Sequence, residues 1–181
     1  MHRRDLLGKL SRHRSFDDAE EQSRGRIERF VADYPLCFGR QLSVGHVTGS
    51  AWIVDAARTK ALLTHHRKLG MWLQLGGHCD GESDTLSAAW REAREESGLR
   101  SVVPVTPEIF DVDVHEIPAR KSERAHFHHD VRYLFEADSD EPLVVSAESN
   151  ALAWVSVEEL AVKDVDASVL RMLAKMNVTT R

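Results

Sequence analysis

An α/β fold with a mixed sheet, preceded by a helical extension, is what the patterning of this chain predicts. Three observations carry that prediction. Apolar residues recur with period two in some segments and with period 3.6 in others, and the two kinds of segment alternate along the chain. The period-two segments are short and are bounded by Gly, Pro and Asp punctuation. The first forty residues carry helical patterning only, so the chain divides into a helical lead and an α/β body.

Asp5–His13 and Phe16–Asp33 read as helices. The second has Ser15 as a candidate cap, a short apolar face of Ile27, Phe30 and Val31, and a stop at Pro35. Thr48–Asp55 reads as a strand, with Trp52 and Val54 on one side and Ala51 and Ile53 on the other. Ala61–Thr64 is its expected hairpin partner, and Met71–Leu75 is a short strand feeding a glycine turn. A helix follows, with Asp84 or Ser83 as cap and Gly98 just past its end. Leu86, Ala89, Trp90 and Ala93 recur on that helix at three- and four-residue steps, a stripe that anchors it to a sheet. Ile109–Ile117 alternates, with Phe110, Val112 and Val114 opposite Asp111, Asp113 and His115. Phe127–Ala137 sets Phe127, His129, Val131, Tyr133 and Phe135 against His128, Asp130, Arg132 and Leu134. Ala151–Val155 is a short strand. Ser156-x-x-Glu159 is a capping box for a helix through Ala161. Asp166–Met176 closes the chain as an amphipathic helix, with Val169, Leu170, Leu173 and Met176 at helical steps.

Composition bounds the function. At 181 residues the chain can bury a full core, and one domain is the default: a helical extension over 1–40 packed on a body over 41–181. An apolar content of 42% and a charged content of 29% describe a globular protein. The net charge of −5 argues against broad binding of extended nucleic acid, which needs a basic footprint. It does not exclude phosphate substrates, because a bound cation inverts the local field. The basic Met1–Arg14 segment lacks the apolar core of a signal peptide and reads as an exposed helix face. No apolar run is long enough to span a membrane. Cys37 and Cys79 are too few for a disulfide framework, so a cytoplasmic location is expected.

One passage names a chemistry. Gly76-Gly77-His78-Cys79-Asp80-Gly81-Glu82-Ser83 runs into Arg91-Glu92-Ala93-Arg94-Glu95-Glu96-Ser97-Gly98-Leu99. Glu92, Glu95 and Glu96 stand at i, i+3 and i+4 and share one helical face. Like charges at that spacing repel by a few tenths of a kcal/mol per pair, so the cluster needs a reason. A hard divalent cation, Mg²⁺ or Mn²⁺, supplies one: it takes oxygen ligands and is often shared with substrate phosphates.

The full pattern resembles the Nudix box: Gly, five residues, Glu, seven residues, then Arg-Glu-apolar-x-Glu-Glu-x-Gly-apolar. Gly77, Arg91, Glu92, Glu95, Glu96 and Gly98 match in register, and Ala93 and Leu99 fill the apolar positions. At residue frequencies near 7%, six such matches by chance are of order one in ten million. The departure is Ser83, where the family has a Glu that mainly orients the box arginine; Glu82 or Asp84 are the candidates for its task. A looser likeness spans Val47 to Leu160. It includes Ala51-Trp52-Ile53-Val54, Leu62-Leu63-x-His65-His66-x-Lys68, Trp72-Leu73-x-Leu75-Gly76-Gly77-His78 and Trp154-Val155-Ser156-x-Glu158-Glu159-Leu160.

The resemblance implies an α/β/α sandwich and a metal-dependent pyrophosphohydrolase acting on a nucleoside diphosphate linked to another group: a nucleotide sugar, ADP-ribose, a dinucleotide or a damaged nucleotide. It implicates Gly76, Glu92, Glu95 and Glu96 as metal ligands, with a carboxylate among the glutamates or Glu148 taking the water proton. Arg91 is expected to brace loop and helix by pairing with an acidic neighbour. Lys68, His78, His128 and Arg132 are the candidate substrate contacts. The N-terminal helices have three open roles: a homodimer contact, a cover for the cleft, or packing on the body.

Ten histidines, clustered at His65-His66, His126 and His128-His129, raise a transition metal as a question, although no spacing matches a compact zinc motif. Two rival functions are set against hydrolysis. Isopentenyl-diphosphate isomerase shares the fold and has Cys-Gly-His where this chain has Gly76-Gly77-His78. A non-catalytic nucleotide-binding Nudix domain usually loses box glutamates, and all three are kept here.

Overall fold

Strand alternation sorts the core into two layers. The computed structural model describes residues 2–67, 69–119, 124–147, 149–160 and 165–179, with the side chains of the last stretch described through Met176. At its centre lies β1 (Gly45–Val54), buried along its whole length. Val47, Ala51 and Ile53 of β1 enter one layer, and Trp52 and Val54 enter the other. This two-sided burial follows from helices covering both faces of the sheet. β7 (His126–Glu136) runs parallel to β1 from Gly45↔Phe127 to Val54↔Glu136.

The other edge of β1 is shared. Near its end it pairs antiparallel with β2 (Lys60–His66), Ile53 opposite Leu62. Nearer its start it pairs antiparallel with β4 (Leu75–His78), with Thr48 opposite His78 and Gly49 opposite Gly77. β3 (Trp72–Leu73) and β8 (Ser149–Ser156) extend β2. β5 (Val103–Pro104) and β6 (Asp111–Ile117) extend β7. The result is an eight-stranded mixed sheet. Gly76 and Gly77, read from the sequence as a turn, are strand residues; the reversal comes later, at Asp80 (φ 51°) and Gly81 (φ 92°).

Helices cover both faces. α1 (Arg4–Arg12) and α2 (Asp18–Asp33) bury Leu6, Leu10, Ile27, Phe30 and Val31 in the first layer. The N-terminal segment is therefore amphipathic and seated, not a wholly exposed face. Arg3 donates to the carbonyls of Val31 (2.6 Å) and Ala32 (2.7 Å), a cation at the negative end of α2. The cap of α2 is Asp17, which accepts from the Glu20 amide at 2.8 Å; Ser15 instead donates to Glu21. α3 (Thr85–Ser97) packs on the same layer, capped by Asp84 and ended by Gly98 in the left-handed region at φ 74°.

The second layer lies under α4 (Val157–Leu160) and α5 (Ala167–Thr179). The capping box of α4 is formed in both directions between Ser156 and Glu159. The continuation of that helix to Ala161 falls outside the described residues. On α5 the buried set is Val169, Met172, Leu173 and Met176; Leu170, expected inside, faces out, and Met172 takes its place. A buried ionic network ties the layers together. Asp111 accepts from Arg132 (3.2 Å), Arg171 (2.8 Å) and Lys175 (2.9 Å). Lys175 also reaches Glu20, which holds His13 at 2.7 Å.

Candidate active site

The glutamates of α3 are placed by how closely the helix approaches the sheet. A Cβ on Gly49 of β1 would stand 2.7 Å from the Thr85 carbonyl oxygen and 3.0 Å from the Ala89 nitrogen, so the backbones meet with nothing between them. Only small side chains suit the helix face at such a contact. The buried face is Thr85, Ala88, Ala89, Ala93, Glu96 and Ser97. Of the expected stripe, Ala89 and Ala93 are buried and Leu86 packs half-buried against the core, while Trp90 lies outside. Trp90 is 40% exposed and donates its indole N–H to the Val102 carbonyl at 2.8 Å.

The seating of α3 on the sheet separates the three carboxylates. Glu96 is buried and accepts the Gly76 amide at 2.9 Å. Glu92 lies against Gly77, where a Cβ would come within 2.5 Å of its carboxylate carbon. Glu95 is 62% exposed and 3.5 Å from Arg91. Two carboxylates thus bracket the paired glycines of β4 while the third stands at the solvent edge. Arg91 donates to Glu92 at 2.6 Å and to the His78 carbonyl at 2.9 Å, which ties α3 to the end of β4. Asp84, one of the two candidates for the task of the box Glu missing at Ser83, serves as the helix cap, and Glu82 is among the carboxylates whose charge acts on Arg91.

The opposite face of the same strands is polar. Asp130 of β7 accepts from Thr48 (2.8 Å), Ser50 (2.7 Å), Gln74 (3.2 Å) and Arg132 (2.8 Å). Arg132, expected to contact substrate, is buried and also paired with Asp111 and Asp113. Its guanidinium is matched by carboxylates inside the protein, and it organises this face instead of presenting charge to a ligand. His78 and His128 are half-buried on this face and are joined there by His46. Burial first, then the imidazoles of His78 and His126, hold His46 down at about 4; burial and the imidazoles of His115 and His46 hold His128 at about 2. Lys68 and Glu148 lie outside the described residues.

The sequence matches the NUDIX domain over residues 46–176. The chain belongs to the NUDIX family. The expectation of a Nudix hydrolase is met at that level, and the mixed sheet between helices is the fold expected of it. No curated protein matches the chain in sequence. Among solved structures, a NUDIX-family hydrolase from Clostridium perfringens is similar at 25% identity and a TM-score of 0.55, over 74% of this chain and 97% of that one. An Ap4A hydrolase binary complex from C. elegans is similar at 18% identity and a TM-score of 0.59, over 74% and 96% of the two chains. The NUDIX domain of NrtR from Shewanella oneidensis, solved with ADP ribose, is similar at 14% identity and a TM-score of 0.54, over 84% and 97%. The last two show the shared fold. Among the described residues of this Nudix protein, no helix is long and apolar enough to cross a membrane.

Proposed function

We propose that this Nudix protein is a divalent-metal-dependent pyrophosphohydrolase that cleaves the diphosphate linkage of a nucleoside diphosphate joined to another group. The observation that carries the reading is the closure of Glu92 and Glu96 on Gly77 and Gly76. It brings two carboxylates, both hard oxygen donors, to one strand end, and the Gly76 carbonyl is the third donor in our reading. A cation of the Mg²⁺ or Mn²⁺ type, which keeps several waters, suits so small a protein donor set. Glu92, Glu96 and the Gly76 carbonyl would hold it, with Glu95 at the open side. Bound there, the cation supplies polarisation of phosphoryl oxygens and acidification of water.

The residues of the chain do the rest. Arg91 fixes the Glu92 carboxylate and the His78 carbonyl together, so the cradle keeps its shape when substrate enters. Glu95, solvent-exposed beside this cradle, takes the proton of the attacking water in our reading, or Glu148 does. An isomerase of the Cys-Gly-His kind needs a reactive thiol. Gly76 holds that position here, and Cys79 is buried, with burial pushing its thiol well above the ordinary range.

The substrate class rests on family and on the names of similar structures. The Ap4A hydrolase and the NrtR domain with ADP ribose make dinucleoside polyphosphates and ADP-ribose the first compounds to try. The test is a screen of these with nucleotide sugars and oxidised nucleoside triphosphates, in Mg²⁺ and in Mn²⁺, with products resolved by chromatography. Water entering one P–O–P bridge is expected to give two phosphate-ended products: two phosphomonoesters from ADP-ribose or a nucleotide sugar, a mononucleotide and a nucleoside polyphosphate from a dinucleoside polyphosphate, and a nucleoside monophosphate with pyrophosphate from a triphosphate. Metal-dependent binding without any product would identify a nucleotide-binding module instead.

A further inference from the structure

Across β4 from the glutamates, His46, His78 and His128 each offer a ring nitrogen, and these three atoms lie within 4.8 Å of one another. They come from three strands. The parallel register sets His46 of β1 opposite His128 of β7, and the antiparallel register sets His78 of β4 opposite Thr48, two residues along β1. Residues i and i+2 of a strand share a face, so all three imidazoles project on one side. The opposite side of Gly49 and Gly77 is filled by α3. The two donor sets are thus on opposite faces of the same strands.

A second observation comes from His46. It is 2% exposed, and neither of its ring nitrogens has a hydrogen-bond partner; the Nε2 of His128 is likewise buried without one. A buried polar atom with no partner has given up water and gained nothing for it, so each such atom in a native structure calls for a reason. The surrounding rings are no substitute: His46 lies 4.9 Å from His78 and 4.8 Å from His128, centroid to centroid, with ring planes tilted near 50°. Those planes are not stacked, and the nitrogens converge.

From this geometry we infer a transition-metal site at His46, His78 and His128, separate from the carboxylate set. Zinc–imidazole bonds of about 2.0–2.1 Å in a tetrahedral arrangement put ligand nitrogens about 3.4 Å apart. Small ring rotations close the present spacing to that value. Three imidazoles select Zn²⁺ and similar ions and leave Mg²⁺ to the oxygen donors of α3. A three-histidine shell leaves the fourth position to water or to a ligand oxygen, as open zinc sites do. His78 and His128 are half-buried, so the ion has a way in from solvent.

The inference does not depend on the pyrophosphohydrolase reading, and its test separates the two. Zn²⁺ is titrated calorimetrically into the metal-free full chain in excess Mg²⁺, and the loaded protein is examined by X-ray absorption at the zinc edge. One tight equivalent is expected, with imidazole scattering from about three rings. His46→Gln and His128→Gln each weaken that equivalent by 10²-fold or more, because removing even an indirect support of a ligand costs 10–100-fold. The combined variant Glu92→Gln, Glu95→Gln, Glu96→Gln keeps it. Unchanged affinity in the histidine variants, absence of a tight equivalent, or an oxygen-only spectrum would overturn the assignment. The spectrum of the unsubstituted chain decides even if a histidine variant does not fold.

Discussion

Glu95 and Glu96 are adjacent in sequence and live in different solvents. The first is 62% exposed; the second is 8% exposed and hydrogen-bonded to the Gly76 amide. A carboxylate already desolvated and oriented interacts more strongly with a charge that develops beside it than one in water does. Glu96→Gln keeps the shape and an oxygen to accept the Gly76 amide, but removes the charge. It should lower kcat by about 10²-fold or more with little change in the unfolding midpoint. Steady-state kinetics at saturating Mg²⁺ check this. Near-parental turnover would remove Glu96 from the proposed site.

At the scale of elements, the site exists because α3 lies directly on β1. The absence of a side chain at Gly49 lets the Thr85 carbonyl and the Ala89 amide reach the strand. Gly49→Ala inserts a methyl group against backbone, which cannot rotate away. Overpacking of this kind costs about 1–3 kcal/mol. Urea unfolding should show a lower midpoint with an unchanged slope, and turnover should fall too, because lifting α3 parts Glu92 and Glu96 from β4. A variant as stable and active as the parent would show that the contact is looser than it stands here. The same approach explains why the buried face of α3 is built from Ala88, Ala89 and Ala93 and why Trp90 lies outside.

For the whole molecule, one set of long-range ties is ionic. Asp111, fully buried, joins β6 to β7 through Arg132 and to α5 through Arg171 and Lys175. Removing one partner of a buried ion pair leaves the others uncompensated and costs about 3–5 kcal/mol. Asp111→Asn should lower stability by that order, read from chemical unfolding. Acid should act on the same network. Burial opposes the charge of Asp113, but the His115 hydrogen bond and the charges of Arg132 and Arg171 outweigh it and hold the carboxyl at about 2, against an ordinary 3.8. A depressed carboxyl stabilises the fold fully above its unfolded value, and the contribution is lost as pH falls through its folded value. Unfolding midpoints should therefore drop as pH is lowered from about 4 to about 2. A flat profile there would mean that these pairs hold no charge.

What the sequence determined alone was local. The helix that carries the glutamates, its cap at Asp84 or Ser83, its Gly98 end, the two faces of β1 and the Ser156–Glu159 box all depend on contacts within a few residues, and those patterns survive in a one-dimensional reading. The Nudix box itself is of this kind, since its function-bearing residues lie within one strand and one helix. Tertiary structure decided what depends on partners far along the chain. Whether Gly76 and Gly77 turn or extend was settled by pairing with β1. Arg132, exposed by alternation alone, is enclosed because Asp111, Asp113 and Asp130 meet it there. His46 had no signal of its own; it joins His78 and His128 only through the register of three strands. Periodicity fixes which way a side chain points, but register over long separations fixes what it meets, and no local pattern encodes that.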